Sequence, residues 1–153
     1  MTEPNFTSYM LSLVQNPCVV SGFWGWGVAQ LFKVILGVVR ERRFDFKWFV
    51  GSGGMPSSHA ALVMGVATSI GLISGFGTPL FALALMVAFI TMFDAQGVRR
   101  QSGRQASALN QILDDLAHNK GIQQEPLKEL FGHTPVEVIA GGILGVCVAI
   151  AIT

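Results

Sequence analysis

From Trp48 to Phe93 the chain carries no aspartate, glutamate, lysine or arginine, and from Val138 to Thr153 it again carries none. Apart from Glu3, no charge appears before Lys33. Runs this long and apolar demand a hydrocarbon environment. In a bilayer every backbone N–H and C=O must be satisfied internally, which leaves helices or closed barrels, and runs of this length suit helices. Composition agrees: 51% of the residues are hydrophobic and 12% charged, about half the charged share of soluble domains. The expected fold is an all-α polytopic membrane bundle, with residues 1–153 forming a single integral membrane domain.

A spanning helix needs about 17 to 25 apolar residues. The stretches that qualify run from about Val19 to Val39, from Ser58 to about Ile73, from Pro79 to about Phe93, and from Pro135 to the C-terminus. That predicts about four transmembrane helices. Phe6 to Val14 is apolar but too short to span, so it either lies in the interface or extends the first helix. Ala106, Leu109, Ile112, Leu113 and Leu116 recur at helical spacing among polar residues, predicting an amphipathic helix over 105–119 outside the bilayer. Gly121 to Glu125 reads as a polar connection, with another helical turn over Pro126–Leu130. Gly65 with Ser69 and Gly141 with Gly145 are small pairs at the spacing of close-packed membrane helices. Packing within the chain is the favoured use, with a dimer interface as the alternative. Cys18 and Cys147 lie in apolar surroundings and read as core residues, with neither disulfide nor metal-ligand spacing. No basic n-region or small-residue cleavage site marks a signal peptide.

Every lysine and arginine other than Lys33 lies in one of two segments, the loop after the first span and the loop after the third. With four spans these loops share a side. The positive-inside bias makes that side cytoplasmic and turns both termini outward.

The second and fourth helices begin on this charged side, one with Pro56-Ser57-Ser58-His59, the other with His133-Thr134-Pro135-Val136-Glu137. A helix start offers unpaired N–H groups and partial positive charge, which suit an anion. Each start also brings a histidine. Lys33 and Arg40, two turns apart, share one face of the first helix. Lys33 has two readings, an intramembrane functional cation or a side chain snorkelling to the interface. Thr134, Pro135 and Glu137 form a capping-box pattern, so Glu137 is either a cap or a catalytic carboxylate. Ser57 reads equally as an N-cap. Asp94 opposes the dipole at a helix C-terminus, so an ion pair with Arg99 or Arg100 is expected.

Two histidines at converging helix starts among cations suit chemistry on a phosphate. One imidazole can attack phosphorus while cations and N–H groups meet the oxygen charge. The other can protonate the leaving alkoxide. A carboxylate bonded to the first imidazole would fix its tautomer, and Glu137, four residues after His133, is placed to reach it. The scheme requires no metal and no cofactor.

The segments "AQLFKVILGVVRERRFDF", "GGMPSSHAA", "MFDAQGVRRQSGRQA" and "LKELFGHTPVEVIAGG", in this order, resemble the divergent branch of the type 2 phosphatidic acid phosphatase superfamily. That superfamily is related to acid phosphatases and vanadium-dependent haloperoxidases. Its signature reads Lys-x6-Arg-Pro, then Pro-Ser-Gly-His, then Ser-Arg-x5-His-x3-Asp. Lys33 and Arg40 match the first spacing, with Glu41 in place of proline and Arg42 or Arg43 beside it as an alternative cation. Pro56-Ser57-Ser58-His59 matches the second with serine for glycine. His133 and Glu137 match the end of the third with glutamate for aspartate, while Leu127 stands where its arginine would be. The resemblance implies His133 as nucleophile, His59 as general acid and Glu137 as the carboxylate partner. It also implies a phosphate site drawn from Lys33, Arg40, Arg43, Ser57 and Ser58, with Arg99, Arg100 or Lys128 replacing the missing arginine. The function so implied is a lipid phosphate or lipid diphosphate phosphatase in the plasma membrane. The alternative is a non-catalytic phospholipid-binding or lipid-translocating protein. The expected partners are the bilayer and a phospholipid or polyprenyl phosphate, with no nucleic acid; a homo-oligomer is left open.

Overall fold

The computed structural model describes residues 5–42, 54–120 and 133–153. Among them are helices α1 (Phe6–Val14), α2 (Pro17–Glu41), α3 (Ser58–Ser74), α4 (Pro79–Gln96), α5 (Val98–Lys120) and α6 (Pro135–Ile152), and no strand. Pro17–Glu41, Pro135–Ile152 and the helical stretch opening at Pro79 are long and apolar enough to cross a membrane; Ser58–Ser74 is apolar but shorter.

Local chemistry sets the boundaries. Asn16 caps α2, its side chain accepting from the N–H groups of Cys18 at 2.9 Å and Val19 at 3.4 Å, with Pro17 at the first helical position. A proline there forfeits only an N–H that has no helical partner. The first span therefore opens two residues earlier than hydropathy suggests. The same break settles the N-terminal segment: α1 ends before Gln15 and Asn16, so it is a separate helix of nine residues and not an extension of α2. Thr78 caps α4 in the same manner before Pro79. α4 runs on to Gln96, three residues past the hydropathic edge, and α5 follows after Gly97 alone. The amphipathic helix thus begins at Val98 and not at 105, because nothing between Val98 and Gln105 breaks a helix. The expected turn over Pro126–Leu130 lies outside the described residues.

α3 is the central helix and packs against α2, α4 and α6. A Cβ on Gly141 would fall onto the Ser57 carbonyl, and one on Gly145 onto the Ala61 carbonyl. Further along, Ser69 and Thr153 share a hydroxyl hydrogen bond of 2.9 Å. The pairs advance in the same order, so α3 and α6 run parallel. α2 runs the other way: Ser21 lies beside Gly65, Gly25 beside Ala61, and Lys33 beside Ser58. A Cβ at Gly25 would stand 2.8 Å from the Ala61 carbonyl oxygen and 3.7 Å from the Gly145 Cα, so three helices meet there nearly backbone to backbone. The small-residue seams are therefore used within the chain, as packing of membrane helices favours.

At one end Ser21, Ser69 and Thr153 close the bundle with hydroxyl contacts of 3.2 and 2.9 Å. The opposite end holds the end of α2, the starts of α3 and α6, and the end of α4. The Ser57 N–H donates to the Glu137 carbonyl at 2.9 Å, and the His133 N–H donates to the Ala95 carbonyl at 3.1 Å. These two backbone bonds stitch three helix ends into one platform.

Candidate functional site

The platform carries the two histidines. Gly54, at φ 81°, reverses the chain ahead of α3, a conformation glycine adopts without strain. Ser57 then caps the helix, its hydroxyl accepting from the Ala60 N–H at 3.4 Å, and is itself fully buried. The N–H groups of Ser58 and His59 point out of the helix start, ahead of any intrahelical acceptor. His59 is half-buried, with its Nδ1 sealed from solvent.

His133 is 1% exposed. Its Nδ1 lies 3.2 Å from Oε2 of Glu137. That same oxygen accepts the Thr134 N–H at 3.0 Å, and the Thr134 hydroxyl accepts the Glu137 N–H at 3.4 Å. The capping box is therefore present, and the carboxylate that closes it also holds the imidazole. The cap and the imidazole contact of Glu137 thus occur together in one geometry. With Nδ1–H donating to the carboxylate, the lone pair sits on Nε2. The rings of His59 and His133 lie 6.4 Å apart between centroids, tilted by 63° in an edge arrangement.

Lys33 does not snorkel. It is 7% exposed and turns inward, its Nζ donating to the Ser58 hydroxyl at 3.2 Å. It also feels the Glu137 carboxylate. A buried ammonium thus stands at the start of α3, at the end of the apolar bundle where the two imidazoles also lie. Such an intramembrane charge is costly to keep unless it serves a site.

The structure thus brings together Lys33, Ser57, Ser58, His59, His133 and Glu137. Arg40 does not join this buried cluster: it is exposed in the last turn of α2, where it complements the helix dipole. Arg42, the left-handed cap at φ 51°, is exposed as well. Asp94 is exposed near the end of α4. Arg43, Leu127, Lys128 and the side chains of Arg99 and Arg100 lie outside the described residues. Among the described residues no three of histidine, cysteine, aspartate and glutamate gather as a metal group. Sequence reasoning missed Gln30, a buried amide on α2 one turn from Lys33; a lone glutamine inside an apolar run was the available signal.

The family described as "Divergent PAP2 family" matches residues 14–148. The chain belongs to the divergent PAP2 family. An uncharacterized membrane protein, YuiD, of Bacillus subtilis (strain 168) is 37% identical over 155 residues, covering 93% of this chain and 97% of that protein. No solved structure matches the chain. With its apolar helices, this divergent PAP2 member is an integral membrane protein, and both histidine motifs of the platform fall inside the matched region.

The two roles of Glu137 separate by substitution. Glutamine keeps an oxygen for the Thr134 N–H but loses the charge that stabilises an imidazolium. Glu137→Gln in this PAP2 relative should therefore melt within a few degrees of wild type, whereas Glu137→Ala should lose about 0.5 to 2 kcal/mol with the cap. Thermal unfolding in detergent measures both. A glutamine variant as unstable as the alanine variant would mean that the carboxylate charge itself holds the fold.

Proposed function

We propose that the protein hydrolyses a lipid phosphate or lipid diphosphate through a phosphohistidine, at a pocket facing the cytoplasm. The observation that carries this reading is the imidazole of His133, held at Nδ1 by Glu137 with its Nε2 buried, next to His59, while Lys33 is bonded to Ser58 at the start of α3. Nε2 attacks phosphorus and the phosphorus–oxygen ester bond breaks. The leaving oxygen takes a proton from His59, releasing the lipid alcohol, or the lipid monophosphate from a diphosphate. Water, deprotonated by the now neutral His59, then attacks the phosphohistidine; the P–N bond breaks and orthophosphate leaves. Lys33, the Ser58 hydroxyl and the N–H groups at the start of α3 would meet the oxygen charge developing on phosphorus. Glu137 would balance the positive charge on His133 in the intermediate. Family membership supports the same assignment.

A non-catalytic phospholipid-binding or lipid-translocating protein is the second reading, favoured by Leu127 at the position of the family's arginine. Phosphate release from detergent-solubilised phosphatidic acid, phosphatidylglycerol phosphate and polyprenyl diphosphate tests the first against the second. Binding of these lipids with no release of phosphate selects the second.

The cytoplasmic assignment rests on the crowding of arginine and lysine into the two segments at the platform end. Gln105 is exposed on α5. Gln105→Cys, in a chain with Cys18 and Cys147 replaced by alanine, should resist an impermeant thiol reagent in intact cells and react after lysis. Ready labelling of intact cells would invert the topology.

A further inference from the structure

Helices enclose α3 on three sides. Ser57 and Ala61 face α6, where Gly141 and Gly145 press on their carbonyls. Ser58 and Gly65 face α2, against Lys33 and the Ser21 carbonyl. Ala60 and Gly71 face α4, the first packed with Ala95 and the second beside Phe81. α6 touches both α2 and α4 and closes its own side of the bundle, whereas the backbones of α2 and α4 do not approach each other among the described residues. The side of α3 away from α6 therefore lies between α2 and α4 with no helix across it. Helical spacing puts His59, Val63, Val66 and Ile70 on that side, at i, i+4, i+7 and i+11. All four are half-buried. Val66 marks the α2 edge, where it fills the Cβ position of Gly22.

The two histidines consequently differ in their surroundings. His133 is fully buried, with its N–H on the Ala95 carbonyl, at the closed meeting of α4 and α6. His59 heads an aliphatic strip that runs down the membrane-spanning bundle. In a displacement at phosphorus the attacking and leaving oxygens or nitrogens stand roughly in line, so the leaving group departs on the side away from His133. In a lipid phosphate that leaving oxygen carries the hydrocarbon. We propose that the hydrocarbon chain of the substrate lipid lies along Val63, Val66 and Ile70 with its phosphate end at His59, the lipid entering sideways from the bilayer between α2 and α4. Flanking helices on both sides distinguish this strip from the outer face of α4, where Ile90 is 70% exposed. Val63 lies about 6 Å and Ile70 about 16 Å along the helix from His59. A palmitoyl chain passes both, and a hexanoyl chain falls short of Ile70.

The inference rests on the proposed hydrolysis for its catalytic meaning, but occupancy of the strip has a separate readout. Ile70→Trp should lower kcat/KM for dipalmitoyl phosphatidic acid about 10-fold, the scale on which an apolar pocket resists added bulk, and leave dihexanoyl phosphatidic acid within about twofold. Val63→Trp should impair both substrates, and Ile90→Trp neither. An Ile70→Trp protein that treats the two chain lengths alike, whether impaired or not, overturns the proposal. Should the tryptophan variants fail to fold, the wild-type protein decides. In nanodiscs, a phosphatidic acid with a diazirine in mid-chain should label residues between Val63 and Ile70, and unlabelled phosphatidic acid should compete where diacylglycerol does not. Labelling that phosphatidic acid fails to displace would assign the strip to bulk lipid and overturn the proposal. A disulfide-linked dimer of Val63→Cys, with Cys18 and Cys147 replaced by alanine, would assign it to a second copy and do the same. Wild-type protein that labels as expected but releases no phosphate would remove the proposed hydrolysis and leave the chain site standing.

Discussion

His133→Ala should leave no phosphate release above background, while His59→Ala should retain a residue of activity about 10² to 10⁴ below wild type. The difference follows from the roles. A missing acid slows departure of the leaving group by the usual factor for general catalysis, because water can still supply a proton. A missing nucleophile removes the covalent route altogether. Both variants should stay folded, since His133 is anchored to Ala95 through its backbone N–H, which any residue provides. Its buried ring nevertheless fills space, so His133→Gln, close in volume, serves as the control against collapse of the pocket. Rates on a detergent-solubilised lipid phosphate, together with trapping of a 32P-labelled enzyme in wild type and His59→Ala, check the assignment. Turnover near wild type in either histidine variant would show that its role is misassigned, and a phosphoenzyme persisting in His133→Ala would place the nucleophile elsewhere.

Gly145→Leu should disrupt the bundle, at a cost of about 3 kcal/mol or more, the upper part of what overpacking imposes. Gly145 lies where α2, α3 and α6 meet, and a side chain there would land on the Ala61 carbonyl with Gly25 closing the other side. No rotamer avoids this, because the clash begins at Cβ. The start of α3 would be pushed away from α6, breaking the Ser57 to Glu137 bond and separating the two histidines. Gly27 provides the contrast: its Cβ position has no neighbour within 4 Å. Gly27→Ala should therefore stabilise α2 by up to about 1 kcal/mol. Thermal unfolding in detergent, followed by size-exclusion profile, should lower the melting temperature sharply for the first and leave or raise it for the second. A Gly145→Leu protein that melts with wild type would mean that the three helices do not meet as described.

What the sequence by itself determined was what depends on a residue and its near neighbours. Hydropathy located the spans. Thr134, Pro135 and Glu137 announced a capping box that formed as written, because such a box closes within one helical turn. Ser57 was legible as an N-cap for the same reason. The gathering of both histidines at one end followed from the alternation of spans, which fixes sides without any knowledge of packing. Boundaries slipped where a local signal was overlooked, as with Asn16 and Pro17, or where no breaker stood, as between Gly97 and Gln105. Only the tertiary structure decided the rest. Lys33 could have reached outward or inward, and the choice depended on the Ser58 hydroxyl, twenty-five positions along the chain. Arg40, on the same helical face by spacing, ended exposed, because α2 runs past the platform before it ends. The seat of His133 on the Ala95 carbonyl is a backbone contact that no side-chain pattern encodes. These contacts depend on how closely helices approach, and that distance is set by glycines on two or three helices at once, so no single stretch of the chain contains it.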